Sequence, residues 1–172
     1  VLAGIKENPT LLRIFLPAGI SFYTFQSMAY VIDVYKGRFQ PRTNLVDVAL
    51  FISFFPQLVA GPIERAAKLL PQFETKRSVS PQRIRDGLFL ILWGLFKKVV
   101  IADSIAIIVD KIFLLQEPSP MLLATGVLAF GVQIFADFSG YVDIARGSAR
   151  LLGIDLSVNF LNPYFATSPS DF

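Results

Sequence analysis

The chain has 172 residues, of which 53% are hydrophobic and 17% are charged, with 16 Lys and Arg against 13 Asp and Glu. An average soluble domain is about 45–50% apolar and about 25% charged, so this composition favours a membrane protein without proving it. The chain has no cysteine and no histidine. A disulfide framework, a cysteine-based metal site, a thiol nucleophile and a histidine general base are therefore excluded among these residues.

The first predicted element is a membrane helix over residues 10–35. Residues 14–32 carry no charge, and the hydrocarbon core of a bilayer requires about 20 such residues as a helix. Pro17 and Gly19 predict a kink, which neighbouring helices tolerate in a bilayer. Further uncharged runs occupy residues 48–63 and 121–136. The alternative of a large soluble helical domain is disfavoured, since buried helices rarely show several runs of this length.

The second predicted element, residues 45–63, is broken. Pro56, Gly61 and Pro62 fall in its second half and are incompatible with a regular helix. Basic loops flank the segment on both sides, although a single crossing would separate them. The segment is predicted either to re-enter the membrane or to span it as a kinked helix, with neither alternative preferred.

The loop over residues 64–85 is predicted to be cytoplasmic. It has an excess of basic residues, which short cytoplasmic loops of membrane proteins share. Its charges are Arg65, Lys68, Lys76, Arg77, Arg83 and Arg85 against Glu64 and Glu74.

The third predicted element begins after Ser80-Pro81, a favourable helix start, and extends to about Leu115. Lys97-Lys98 interrupts it. One interpretation is a polar seam that faces a cavity, formed by Arg83, Asp86, Lys97, Ser104 and Lys111. The favoured interpretation is two shorter helices that meet where both lysines reach lipid headgroups.

The fourth predicted element runs from Met121 to about Leu152. One face shares small and polar residues of the kind that helices use to pack in lipid: Gly126, Phe130, Gln133, Asp137, Tyr141 and Ser148. Asp137 is interpreted as a structural partner of Arg or Tyr on another helix. Asp143 lies on a different face from Asp137 and is interpreted, with Arg146 and Arg150, as an ordinary surface ion group.

These patterns leave a transporter, an enzyme and a non-catalytic scaffold subunit all open. Three motifs then resemble the bacterial branch of the membrane-bound O-acyltransferase family. They keep the family's order and occupy residues 16–35 (LPAGISFYTFQ, then YVIDVY), residues 53–63 (SFFPQLVAGPI) and residues 138–164 (FSGYVDIARG, then LGI, NF and NPY). The sequence is most similar to the branch that O-acetylates alginate, with peptidoglycan O-acetylating and teichoic-acid D-alanylating branches as alternatives.

The resemblance implies an all-α, polytopic integral membrane protein of the bacterial inner membrane. It implies transfer of an acyl group, first of all acetyl, from a cytoplasmic donor such as acetyl-CoA to hydroxyls of an extracytoplasmic polysaccharide, with a periplasmic partner protein. No bound cofactor, metal or nucleic acid is expected. A transporter that binds its substrate at the broken segment is the competing hypothesis.

The resemblance also implies that residues 1–172 are the central part of a single membrane domain, truncated at both ends. The family's catalytic histidine follows a serine-rich stretch that Ser168–Phe172 resembles, so it is expected beyond Phe172, and the chain alone is expected to be inactive. The supporting positions implied for a tunnel or substrate path are Pro56, Gln57, Gly61, Pro62, Asp137, Tyr141, Asp143 and Asn159. Val142 departs from the serine expected in the third motif.

Overall fold

A computed structural model describes residues 19–58, 61–159 and 163–168, and within these ranges the chain is helical without strands. The helices are α1 (Ile20–Tyr35), α2 (Leu45–Ser53), α3 (Phe55–Leu58), α4 (Ala66–Glu74), α5 (Pro81–Leu95), a π segment (Phe96–Ala102), α6 (Asp103–Phe113), α7 (Pro120–Leu151) and a 3-10 turn (Pro163–Phe165). The predicted all-α class is confirmed. Residues 10–18 of the first predicted helix and residues 169–172 lie outside the described ranges.

α5, the π segment and α6 form one continuous helix from Pro81 to Phe113. The Ser80 side chain accepts a hydrogen bond from the Arg83 amide, and Pro81 occupies the first turn, as the sequence predicted. The prediction of two shorter helices is wrong. The backbone passes through the two lysines by widening into seven residues of π-helix, in which the hydrogen bonds run from i to i+5.

α7 packs antiparallel against this long helix, and glycines set the distance between them. A Cβ atom added at Gly94 would lie 2.5 Å from the Gly140 carbonyl oxygen, and one added at Gly147 would lie 2.5 Å from the Gly87 carbonyl oxygen. The two backbones therefore touch at two levels, seven residues apart on both helices. Small residues are what permits such close approach of helices.

The predicted contact face of α7 is wrong in part. Gly126 does pack, against Ile112 of α6, but Phe130 and Tyr141 of the same predicted face are exposed. The buried face instead contains Ala136, Gly140, Asp143 and Gly147. Close backbone contact at the glycines rotates the helix so that these residues turn inward.

A second packing region forms where α2 and α4 meet the end of α7. Its fully or nearly fully buried members are Phe51, Phe54, Ala66, Leu69, Leu70, Ala145, Ala149, Ile154 and Leu156. α4 lies inside the predicted loop 64–85. Its apolar residues recur at helical spacing, so it buries one face although the surrounding sequence is basic.

The broken segment is confirmed. α2 ends at Ser53, Phe54 takes a non-helical conformation, and α3 adds only four residues. The break leaves the Phe51 carbonyl without a donor from its own helix. The side-chain amides of Gln26 (2.7 Å) and Gln57 (3.1 Å) donate to it instead. Whether the segment spans or re-enters stays a prediction.

One helix in the described ranges, α7, is long and apolar enough to cross a membrane by length and composition. The polytopic arrangement stays a prediction.

Candidate functional site

Two clefts lie on different faces of α7, between its middle and its C-terminal end. The apolar cleft, of about 290 Å³, separates the broken segment from α7 and is lined by Phe55, Pro56, Gly61, Tyr141, Ile144, Ala145 and Ser148. The polar cleft, of about 100 Å³, is lined by Lys97, Phe135, Ser139, Val142, Asp143, Arg146, Val158 and Asn159. The third motif of the sequence supplies residues to both.

The apolar cleft brings together three of the predicted site residues, Pro56, Gly61 and Tyr141. Gln57 and Pro62 are buried next to it without lining it. The second and third motifs, about 80 residues apart, thus share one cavity, as a common substrate path would require. The role of these residues in such a path stays a prediction.

Gly61 is required by the way the chain folds back on itself. A Cβ atom at this position would lie 2.3 Å from the Gln57 Cα, and the Gly61 amide donates to the Gln57 carbonyl at 3.2 Å. Any side chain at position 61 would push the broken segment away from its own backbone. The segment therefore depends on glycine at this position to keep its side of the cleft.

The polar cleft brings together Asp143 and Asn159 of the predicted site. The buried carboxylate of Glu64, just before α4, helps to place Asn159 by holding Ser157, two residues earlier in the chain. It accepts hydrogen bonds from the Ser157 amide and from the Ser157 hydroxyl, the latter at 3.0 Å. Lys68 donates to the same hydroxyl at 2.5 Å. This contact could not be predicted from local sequence, because its partners are 93 residues apart.

Two adjacent lysines of the π segment bind two different acids of α7. The Lys97 ammonium lies 2.5 Å from Asp143, and the Lys98 ammonium lies 2.7 Å from Asp137 and 2.8 Å from Asp103. Asp137 and Asp143 point in different directions, as predicted, and consecutive lysines leave the helix at different angles. Each acid of α7 therefore meets its own lysine.

These contacts correct three interpretations. The lysines turn toward α7 rather than toward headgroups, with 15% and 27% of their side chains exposed. Asp143 is buried and pairs with Lys97 and Arg146, so it is not a surface ion group. Asp137 does pair with another helix, through Lys98 instead of the predicted Arg or Tyr, and lines neither of the two clefts described above.

The continuous polar seam is wrong as well. Lys97 faces a cleft, but Arg83 pairs with Asp155 at 2.8 Å and Asp86 accepts from Gln82, both near the start of α5. Arg83, Asp86 and Lys97 therefore serve separate contacts. Ser139 and Arg146 were missed as cleft residues, and Lys97 was placed at a cavity only by the interpretation that was not favoured. The signal was present in Lys97-Lys98, because charges inside an apolar helix require partners.

Comparison with known proteins places this helical architecture in a class. No family model matches the chain. It is 40% identical over its whole length to a probable alginate O-acetylase of Pseudomonas putida, of which it covers 36%. It is 37% identical over 97% of its length to a peptidoglycan O-acetyltransferase of Helicobacter pylori, and 24% identical over 90% to a teichoic acid D-alanyltransferase of Bacillus subtilis.

These relatives are all named for the transfer of an acyl group to a polymer, so the class they define is that of acyltransferases. These matches, which extend over nearly the whole chain, confirm the resemblance of its three motifs to the bacterial branch of the membrane-bound O-acyltransferase family. The chain spans about a third of the length of the alginate O-acetylases that it matches.

Proposed function

We propose that the protein is an O-acyltransferase that moves an acyl group, first of all acetyl, from a cytoplasmic donor such as acetyl-CoA to hydroxyls of an extracytoplasmic polysaccharide. The observation that carries this proposal is the 40–41% identity, over the whole chain, to alginate O-acetylases. The more distant relatives are named for other polymers but for the same kind of transfer. An alginate-like polymer is therefore the first acceptor to test.

In this proposal the chain supplies walls of the substrate path. The apolar cleft between the broken segment and α7 offers the hydrocarbon surroundings that most small-molecule sites use, and the polar cleft offers a few placed polar groups. The chain has no histidine, so the histidine base that the family uses is not among these residues.

The surface supports a multi-pass arrangement in the bacterial inner membrane. The outward side chains of the two long helices are apolar, with exposed fractions of 65% for Phe89, 66% for Leu92, 56% for Val99 and 74% for Leu128. The two lysines of the π segment instead turn inward to α7. A soluble protein rarely exposes apolar patches of this extent, whereas lipid favours them.

The activity can be tested by deleting the gene and measuring the O-acetyl content of the extracellular polysaccharide by NMR. The proposal expects acetylation to be lost and then restored by the wild-type gene. Ser148→Phe should fill the apolar cleft and reduce acetylation at least tenfold, whereas Ser78→Phe, in the exposed loop before α5, should not. Unchanged acetylation in the deletion strain would reject the proposal, and loss of uptake of a solute instead would favour a transporter.

The cytoplasmic placement of residues 64–85 has a separate test, made simple by the absence of native cysteine. Cys introduced by Ser78→Cys should resist a membrane-impermeant thiol reagent added to intact cells. Cys introduced by Glu117→Cys, in the turn between α6 and α7, should react. The continuous helix of 33 residues between the two positions is about 50 Å long, which exceeds the thickness of a bilayer, and in this proposal it places them on opposite sides of the membrane. The reverse labelling pattern would contradict the orientation.

The donor and the partner are also part of the proposal. A periplasmic partner protein is expected to complete transfer to the polysaccharide, and acetyl-CoA acts as substrate rather than as a bound cofactor. Consumption of acetyl-CoA by membranes that contain the protein, and its loss in membranes from the deletion strain, would support this assignment.

A further inference from the structure

The polar cleft has one more cation than anion. Lys97 and Arg146 are its basic residues and Asp143 is its acid, while Ser139 and Asn159 add neutral polar groups. Both basic side chains are mostly buried, with 15% and 16% exposed. Since desolvated charges attract partners more strongly than exposed ones, this excess positive charge favours an anionic occupant.

One buried hydrogen-bond donor of the cleft-lining residues has no acceptor among the described residues. Lys97 has three N–H donors, of which one points at Asp143 (2.5 Å) and one at Ser139 (3.3 Å). Arg146 contacts Asp143 through Nη1 at 3.3 Å, while its buried Nε has no acceptor in the described part of the chain. A buried donor without an acceptor is unfavourable, so an oxygen-bearing ligand would stabilise this arrangement.

The size of the cleft restricts that ligand. At about 100 Å³, the polar cleft has about a third of the volume of the apolar cleft. This size favours a small carboxylate over a sugar ring or a coenzyme. Val142, Val158 and Phe135 supply an apolar surface for a methyl group beside the two cations.

We propose that the polar cleft binds a small carboxylate of the size of acetate, with its oxygens on Lys97 and Arg146 and its methyl group on the apolar lining. This deepens the proposed function, on which it rests for the choice of acetate over other small anions. Arginine and lysine both pair with carboxylates, and the planar guanidinium favours a planar oxyanion.

The test is thermal unfolding of the purified protein, followed by the fluorescence of its single tryptophan, Trp93. Sodium acetate replaces sodium chloride at constant ionic strength. A ligand that binds the folded state raises the Tm in a saturable way. We expect such a rise with acetate and progressively smaller ones with propionate and butyrate, whose longer chains fit a small cleft less well.

Two variants connect the response to the cleft. Arg146→Lys keeps the charge but removes Nε. It should raise the acetate concentration that gives half of the maximal Tm rise at least tenfold. Arg150→Lys is the matched control, because Arg150 lies one turn further along α7 and faces Asp155 at 3.5 Å. Should Arg146→Lys not fold, Val158→Phe fills the cleft from an exposed loop position, leaves the charges in place and should abolish the response.

Equal Tm values in acetate and in chloride would mean an adventitious ion only and would overturn the proposal. An undiminished rise of Tm with acetate in Val158→Phe would overturn it as well. The outcome is separable from that of the proposed function. Polysaccharide acetylation without a specific acetate response rejects the carboxylate site alone. A specific acetate response in a protein whose deletion leaves acetylation unchanged keeps the site and rejects the acyltransferase proposal.

Discussion

Asp143 lies between two cations, with the Lys97 ammonium at 2.5 Å and the Arg146 guanidinium at 3.3 Å. The two possible ways of breaking this group are not equivalent. Removing Lys97 leaves the acid paired with Arg146. Removing the negative charge leaves two buried cations facing a neutral group, and an uncompensated buried charge is the expensive outcome.

We therefore expect Asp143→Asn to lower the free energy of unfolding by about 3 kcal/mol, and Lys97→Met to lower it by about half as much. Chemical denaturation in detergent measures both. Asp86→Asn is the control, since Asp86 accepts from Gln82 near the surface and its substitution should change stability by less than about 0.5 kcal/mol. A larger loss in Lys97→Met than in Asp143→Asn would contradict this account.

The Phe51 carbonyl gives a second prediction at this scale, because two glutamine amides share it. Gln26→Leu or Gln57→Leu alone leaves one donor, whereas the double variant leaves a buried carbonyl unpaired. The double variant should lose about 1 kcal/mol more than the sum of the two single variants. Gln26→Leu combined with Gln82→Leu, at an exposed and distant position, should be additive. Additivity in the first pair would show that the carbonyl does not depend on both amides.

At the scale of elements, the contact of α5 with α7 depends on glycine backbones. A Cβ at Gly94 would meet the Gly140 carbonyl oxygen at 2.5 Å, and neither backbone can move without separating the helices. Gly94→Ala should therefore lower the free energy of unfolding by about 2 kcal/mol despite the better helix propensity of alanine. Thermal or chemical unfolding measures the change.

Gly131→Ala, within α7, is the matched comparison. Its added Cβ would have the Tyr164 hydroxyl as its nearest neighbour, at an ordinary 3.5 Å. Helix propensity then determines the effect of the substitution, and the free energy of unfolding should rise by up to about 1 kcal/mol. Equal effects of the two substitutions would reject the backbone contact as the reason for glycine at position 94.

The elements show what local sequence can predict. Ser80-Pro81 determines where α5 begins, and Pro56, Gly61 and Pro62 break the second segment; in both cases the cause lies within a few residues. The partners of Lys97 and Lys98 on α7 lie about 40 residues or more away, so their direction depends on packing that the sequence does not display. α4 was missed because the basic charges of loop 64–85 outweighed a short apolar repeat.

The positions of the candidate site residues can be compared in the same way, while their role stays a prediction. Family motifs pointed to Pro56, Gly61 and Tyr141, which do meet in one cleft, and to Asp143 and Asn159, which meet in the other. They did not separate the two clefts. That division arises because the glycine contacts fix the rotation of α7, and a shift of one residue along a helix changes the direction of a side chain by about 100°.

At the scale of the whole molecule, the distribution of polarity leads to a test of whether lipid or water surrounds the helices. Apolar side chains such as Leu128 point outward, while two lysine–aspartate ion pairs lie between the long helices. In water a lysine at an exposed helix position is tolerated, with changes of about 0.5 kcal/mol or less. In the middle of a bilayer the same charge costs about 2.5–3.5 kcal/mol.

Leu128→Lys therefore tests the membrane assignment directly, since Leu128 is 74% exposed and lies in the uncharged part of α7. We expect the amount of folded protein in the membrane fraction to fall sharply, because the charge must leave the lipid or distort the bilayer. Ser78→Lys, in the exposed loop predicted to be cytoplasmic, adds the same charge and should leave that amount unchanged. Equal behaviour of the two variants would mean that α7 faces water at position 128, because only the solvent around that position makes the two lysines different.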